Sequence, residues 1–271
     1  MFQGLRGALV GAVLALCAAP TTAAEIFVKV DTITDFRTTD TRDAELTITL
    51  QPYGPGLRMM TGLVDFEVEE AVSDQGVNLL RDEQEQDTFH EVLGRGRLVD
   101  LRRIELRLHN PARAARSVRV KGTLRFYNPE GVDGAIAIVP LVLSQSADTP
   151  LEHPALAALG VELLLFDEAQ ARAYRDRQYD EQDDSPEIRM ARAGGLVIVA
   201  LRDEDRDPIL RIGLQNGAGE EIPVRSWGSN EVSLTPSFDR ALPTDVALNI
   251  QLATPEAIVE VPFDTGEIFL P

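Results

Sequence analysis

The segment "VKGTLRFYNPE", residues 120–130, returns near the end of the chain as "VALNIQLATPE", residues 246–256. The shared frame is Val, three residues, Leu or Ile, one residue, Phe or Leu, two residues, then Pro-Glu. Each copy reads as a strand running into a turn. In the first, Val118, Val120, Leu124 and Phe126 share a face with Gly122; in the second, Val246, Leu248, Ile250 and Leu252 share one. Strand side chains point alternately to two faces, so this period of two marks an antiparallel ladder with one buried and one wet side. The same alternation places Leu46, Ile48 and Leu50 on one face of "AELTITLQP", and Ile104, Leu106 and Leu108 opposite Glu105 and Arg107. Turn signals punctuate these runs: "YGPG", "SDQG", "NPEG", "QNGAGE".

The echo spreads outward. "LRLHNPARAA" at 106–115 faces "VSLTPSFDRA" at 232–241, again 126 residues on. "GLVDFEVEE" from Gly62 faces "GLVIVALRDEDRDPIL" from Gly195, and "IVP" at 138–140 faces "EVP" at 260–262. Order is kept while spacing drifts, the pattern of a tandem duplication with altered loops. Two copies of about 120 residues suit β-sandwiches of immunoglobulin size. The expected fold is therefore all-β: two tandem antiparallel β-sandwich (immunoglobulin-like) domains, 25–146 and 155–271. The polar, proline-bearing stretch "SQSADTPLEHP" supplies a linker at 147–154. One segment breaks the pattern. "DEAQARAYRDRQYDEQDD", 167–184, lacks alternation and predicts a surface helix over 167–180 followed by an acidic loop. It forms an insertion in the second domain reaching about residue 187.

The run "VEEAVSDQGVNLL", followed by "LRLHNP" and "VKGTLRFY", resembles a module of exported bacterial proteins built of tandem immunoglobulin-like β-sandwiches. The shared features are an Asp-x-Gly hairpin, a Leu-x-Leu-x-x-Pro strand end and a following strand that contains glycine. The resemblance covers 62–127 and, more weakly, 195–263. It implies an exported β-sandwich and carries no activity and no site residue.

The N-terminus predicts export. Arg6 precedes the apolar run "ALVGAVLALCAA", and the small residues "TTAA" place a cleavage after Ala24, making 1–24 a signal peptide. The apolar run is shorter than the roughly 20 residues a membrane span requires. Leu16 before Cys17 argues against lipid attachment there. Cys17 is the single cysteine, so the chain after the cut has no thiol for disulfides, metal sites or catalysis. No transmembrane segment is expected after signal removal, and the expected location is periplasmic or secreted.

Net charge is −18 with only two lysines, Lys29 and Lys121, which argues against nucleic acid as a partner. Basic residues nonetheless crowd into 95–125. Arg103, Arg107, Arg119 and Arg125 alternate with apolar residues along two predicted strands. If those strands pair, the guanidiniums share the wet face and suit carboxylate or phosphate groups, so the expected partner is an envelope protein or an anionic glycan.

Motifs for chemistry are few. No Gly-x-Ser-x-Gly elbow occurs, and "HEVLG" from His90 has Gly94 where a zinc-protease helix needs its second histidine. His90, His109 and His153 read as surface or turn residues. In "DEDRDP", Asp203, Asp205 and Asp207 alternate and could offer oxygens to calcium, although Pro208 and Leu214 occupy the glycine and glutamate places of an EF-hand. Paired carboxylates are plentiful, but Trp227 is the only tryptophan, which weakens a sugar-cleaving site. The expected function is a non-enzymatic binding or scaffolding role in the cell envelope. The alternatives are a carboxylate-based hydrolase of envelope glycans and a structural repeat module in an envelope assembly.

Overall fold

The structure, a computed structural model, describes residues 26–37, 44–81, 103–140, 150–166, 197–200, 208–223, 226–229, 233–237 and 242–271. The signal segment, the expected helix at 167–180, His90 and the acidic run at 203–207 lie outside the described residues.

The described chain is mostly β-strand, and its paired strands run antiparallel. The strands are β1 (Phe27–Phe36), β2 (Glu45–Tyr53), β3 (Gly62–Ser73), β4 (Ile104–Leu108), β5 (Ser117–Tyr127), β6 (Ile136–Val139), β7 (Leu163–Phe166), β8 (Val197–Ala200), β9 (Ile209–Gln215), β10 (Ser226–Ser229), β11 (Ser233–Ser237), β12 (Ala247–Leu252), β13 (Ile258–Asp264) and β14 (Ile268–Phe269). A five-residue helix, Pro154–Ala158, starts at a proline, and its first turn is capped by His153, whose Nδ1 accepts from the Ala155 N–H. Among the described residues no helix is long and apolar enough to cross a membrane.

Two apolar clusters organise the strands. In the first, Leu46, Ile48 and Leu50 of β2 and Leu106 and Leu108 of β4 meet Leu63 and Phe66 of β3 and Val120, Leu124 and Phe126 of β5. In the second, Leu163 and Leu165 of β7 meet Ile212 and Leu214 of β9 and Leu248, Ile250 and Leu252 of β12. The alternation read from the sequence is the burial pattern observed, since β4 runs buried, exposed, buried, exposed, buried.

The pairing order repeats. One sheet runs β1-β2-β4, and β5 pairs with β3 in another. Later in the chain one sheet contains the order β7-β8-β11, and β12 pairs with β9 in another. The hairpins that leave β3 and β9 share their hydrogen bonds. Ser73 N–H donates to Val77 O, Gly76 N–H to Ser73 O and Leu79 N–H to Ala71 O; likewise Asn216 N–H donates to Glu220 O, Gly219 N–H to Asn216 O and Ile222 N–H to Leu214 O. Gly76 and Gly219 take positive φ, 73° and 81°, at the same place in each turn, a conformation that glycine reaches without steric cost. Ala71 faces Val120 and Leu214 faces Leu248. Val120 thus corresponds to Leu248, two residues from the Val246 that the sequence echo selects. A shift of two leaves every side chain on its own face, so alternation alone is blind to it. The Gly62 and Gly195 echo also fails topologically: β3 starts at Gly62, but the strand after Gly195 is β8, whose place in the pairing order is that of β2.

The expected boundary between halves does not separate the cores. β6, from the first half, pairs with β12, Leu248 opposite Val139 and Ile250 opposite Ala137. β13, from the second half, pairs with β5 from Ile258–Tyr127 to Asp264–Lys121, and β14 adds Ile268 opposite Val118. Val261, Phe263 and Ile268 belong to the first apolar cluster, and Ala137 and Val139 to the second. Nor is 147–154 an exposed linker to its end: Leu151 is buried in the second cluster, and Pro154 opens the helix.

Candidate functional site

Among the described residues three surfaces stand out. The first is the outer face of the β5 sheet. β5 turns Val118, Val120, Leu124 and Phe126 inward, so Arg119, Lys121, Thr123 and Arg125 point outward. Its two neighbours, β3 and β13, bring carboxylates alongside. Arg125 donates to Asp65, Glu67 and Glu260 at 3.1, 3.0 and 3.1 Å. Lys121 meets Glu70 at 3.0 Å, and Thr123 donates to Glu69 at 3.0 Å. Arg119 grips Asp264 through Nε at 2.9 Å and through Nη2. Hydrogen bonds to these acids raise the Arg125 and Arg119 affinities for the proton, and Arg119 holds the Asp264 carboxyl well below the usual carboxylate range.

This geometry corrects the expected arginine patch. β4 and β5 do not pair: β4 lies beside β2, and β5 lies between β3 and β13. Arg103 and Arg107 therefore sit on the β1-β2-β4 sheet and Arg119 and Arg125 on another. Arg103 reaches Asp31 at 3.5 Å, and Arg107 stands exposed on β4 across from Thr47. The four guanidiniums form no common field, and the two on β5 are already neutralised by acids of the chain. A cationic face needs unpaired charge, which Arg119 and Arg125 do not supply. The sequence did hold the missing signal: β3 ("VDFEVEEA") and β13 ("IVEVPFD") place acids on their wet positions. Asp203, Asp205 and Asp207 lie outside the described residues. Among the described residues no group of three His, Cys, Asp or Glu side chains gathers as a metal site.

The second surface is a shallow depression of about 180 Å³ on the outer face of β9 and β12. Gly213 leaves its floor without a side chain, and Arg211, Gln215, Asn249 and Gln251 line it. Arg211 is ion-paired with Glu221 at the rim. Asn249 Nδ2 donates to Gln215 Oε1 at 3.3 Å, while Asn249 Oδ1 is buried without a hydrogen-bond partner among the described residues.

The third surface is the edge of the β1-β2-β4 sheet. Among the described residues β1 pairs with β2 alone. Its ends are apolar and exposed: Phe27 packs on Tyr53 at 5.5 Å between ring centroids, and Phe36 closes the other end. Lys29 lies over the Tyr53 ring at 5.8 Å. A bulge at Asp31 separates two straight runs.

Among the described residues these features define an all-β arrangement with two main apolar clusters, a charge-paired outer face and a strand edge, β1, without a second ladder partner. No protein-family model matches the chain, and neither curated proteins nor solved structures give a match.

Proposed function

We propose that this is an exported, non-enzymatic binding or scaffolding protein of the cell envelope, which takes up an extended segment of a partner protein along β1. The observation that carries the reading is the ten-residue edge strand with exposed aromatic side chains at both ends. An unpaired edge offers a row of backbone donors and acceptors, and an added strand satisfies them while its side chains fill pockets beside the edge. Phe27, Tyr53 and Phe36 are apolar anchors of the kind that concentrate interface energy. The signal-like N-terminus supports export. The finer architecture belongs to the same proposal: two immunoglobulin-like sandwiches from one duplicated module, supported by the repeated pairing order and the matching hairpins.

A photo-crosslinking residue placed at Phe27 or Phe36, in cells that export the protein, tests the reading. The expected result is an adduct of discrete mass, mapped to one extended segment of the partner, that is absent from the same residue placed at the exposed Phe269. Equal labelling at all three positions would refute strand addition at β1. Mass spectrometry of the exported chain should show a new N-terminus at Glu25.

A further inference from the structure

We infer that the two halves of this chain are each other's obligate binding partners, closed by a reciprocal exchange of strands, so that the protein stays a single cooperative particle even when the connection between the halves is cut. The two crossings leave their halves in the same way. β5 ends at Tyr127, and the chain then leaves through Asn128-Pro129-Glu130 to place β6 beside β12. β12 ends at Leu252, and the chain then leaves through Thr254-Pro255-Glu256 to place β13 beside β5. The two exits bond to each other: Asn128 N–H donates to Ala257 O, just before β13, and Leu252 N–H donates to Ala135 O, just before β6, each at 2.8 Å.

The repeated Pro-Glu has a physical role at these exits. A residue before proline is held extended, and Thr254 has φ −86° and ψ 145°. An extended exit carries the strand across to the other half instead of folding it back as a hairpin on its own. Between the exits lies a small apolar seam of Tyr127, Ala135, Leu210 and Ala257. Tyr127 closes it by donating its hydroxyl to Ala135 O at 2.6 Å.

Neither half is complete alone. Without β13 and β14 the first core loses Val261, Phe263 and Ile268, and β5 is left with an open edge. Without β6 the second core loses Ala137 and Val139, and β12 is left open. The covalent link then adds effective concentration to the contacts between the halves.

The test uses the whole chain with a protease site inserted between Ser146 and Ala147. After cleavage under native conditions, both fragments should co-elute at the position of the uncut protein and unfold in one transition. The midpoint of that transition should fall on dilution, because unfolding now releases two molecules. Separation of the fragments without denaturant, or two transitions, would overturn the inference. Hydrogen exchange on uncut Val261→Ala gives an independent check. Protection should fall by the same factor, about tenfold, in β3 and β5 and equally in β9 and β12. A loss confined to the first core would show two independent units.

Discussion

Substituting Gly122 by alanine puts a methyl group where the structure has no room. A Cβ there would lie 2.0 Å from the Glu67 carbonyl oxygen and 3.0 Å from two carbons of the Phe263 ring. The close approach has a cause: β3 bulges between Val68 and Glu70, which brings its backbone over β5, and Phe263 on the other neighbour covers the vacant side-chain position. The ring could tilt, but the carbonyl belongs to a strand paired along its length and must move by roughly 1.5 Å to reach ordinary contact. Overpacking of this kind costs about 1–3 kcal/mol and more where backbone must shift, so Gly122→Ala should destabilise by about 3 kcal/mol. For a chain of this size each kcal/mol lowers Tm by about 2–4 °C, giving a fall of roughly 6–12 °C in a circular-dichroism melt. Gly213→Ala is the control. Its Cβ would meet nothing nearer than Asn249 O at 3.8 Å, and alanine in a strand interior is favoured over glycine, so its Tm should hold or rise. A Gly122→Ala melt within about 2 °C of the parent would refute the close-approach argument.

Arg125→Gln removes the one cation shared by Asp65, Glu67 and Glu260 and leaves three carboxylates around a neutral group. Urea unfolding at low salt should show a loss of about 1 kcal/mol that shrinks in 1 M salt, because partly exposed charges are screened there; a loss independent of salt would mean that packing, not charge, holds the site. Tyr127 reports the seam through alkaline pH. Burial pushes its phenol up to about 12 from the ordinary value of 10.0. Its folded value is raised above its unfolded one, so its contribution to stability is fully present below pH 10 and is lost as pH rises toward 12. Melts between pH 9 and 12 should therefore fall more steeply in the parent than in Tyr127→Phe, while at neutral pH that variant loses about 1 kcal/mol with the hydroxyl bond. Parallel pH profiles would place the phenol in water.

What the sequence discloses here is local, and what it hides is long-range. The inward faces of β2, β4 and β5 are written in Leu46, Ile48, Leu50, Leu106, Leu108, Val120 and Leu124, because burial imposes period two on whichever strand it touches. Pairing partners are not written that way. β4 and β5 follow one another along the chain, yet they join different sheets, and the arginines they carry go with them. The acids that neutralise Arg125 come from Asp65 and Glu67 upstream and from Glu260 far downstream. Nothing in the local pattern of β13 says that its ladder partner is β5 rather than its chain neighbour β12. The polar depression was illegible for a related reason: Gly213, Asn249 and Gln215 gain meaning only when β9 and β12 are set side by side.

Set beside β1, the edges of β13, β3 and β6 suit the proposed partner strand less well. β13 exposes its edge with Pro262 inside the strand and with Glu260 and Asp264 alongside it; proline offers no donor, and the two charges are tied to Arg125 and Arg119. β3 lines its edge with Glu67, Glu69 and Glu70, which an incoming strand would have to desolvate. β6 has four residues, too few for a stable ladder with a foreign chain. β1 has ten, with a single bulge at Asp31, and its terminal Phe27 and Phe36 are about half exposed. The bulge and Lys29 guard against indiscriminate pairing, since a flat unprotected edge would aggregate. A partner strand that matches the two straight runs and seats apolar side chains at both aromatic ends would gain what a mismatched strand could not. Inserting Pro in place of Thr34 on β1 should therefore abolish crosslinking at Phe36 while leaving the cores, and hence the melt of the two apolar clusters, within a few degrees of the parent. Crosslinking that survives Thr34→Pro would mean that the partner reads the side chains at the strand ends and not the backbone between them.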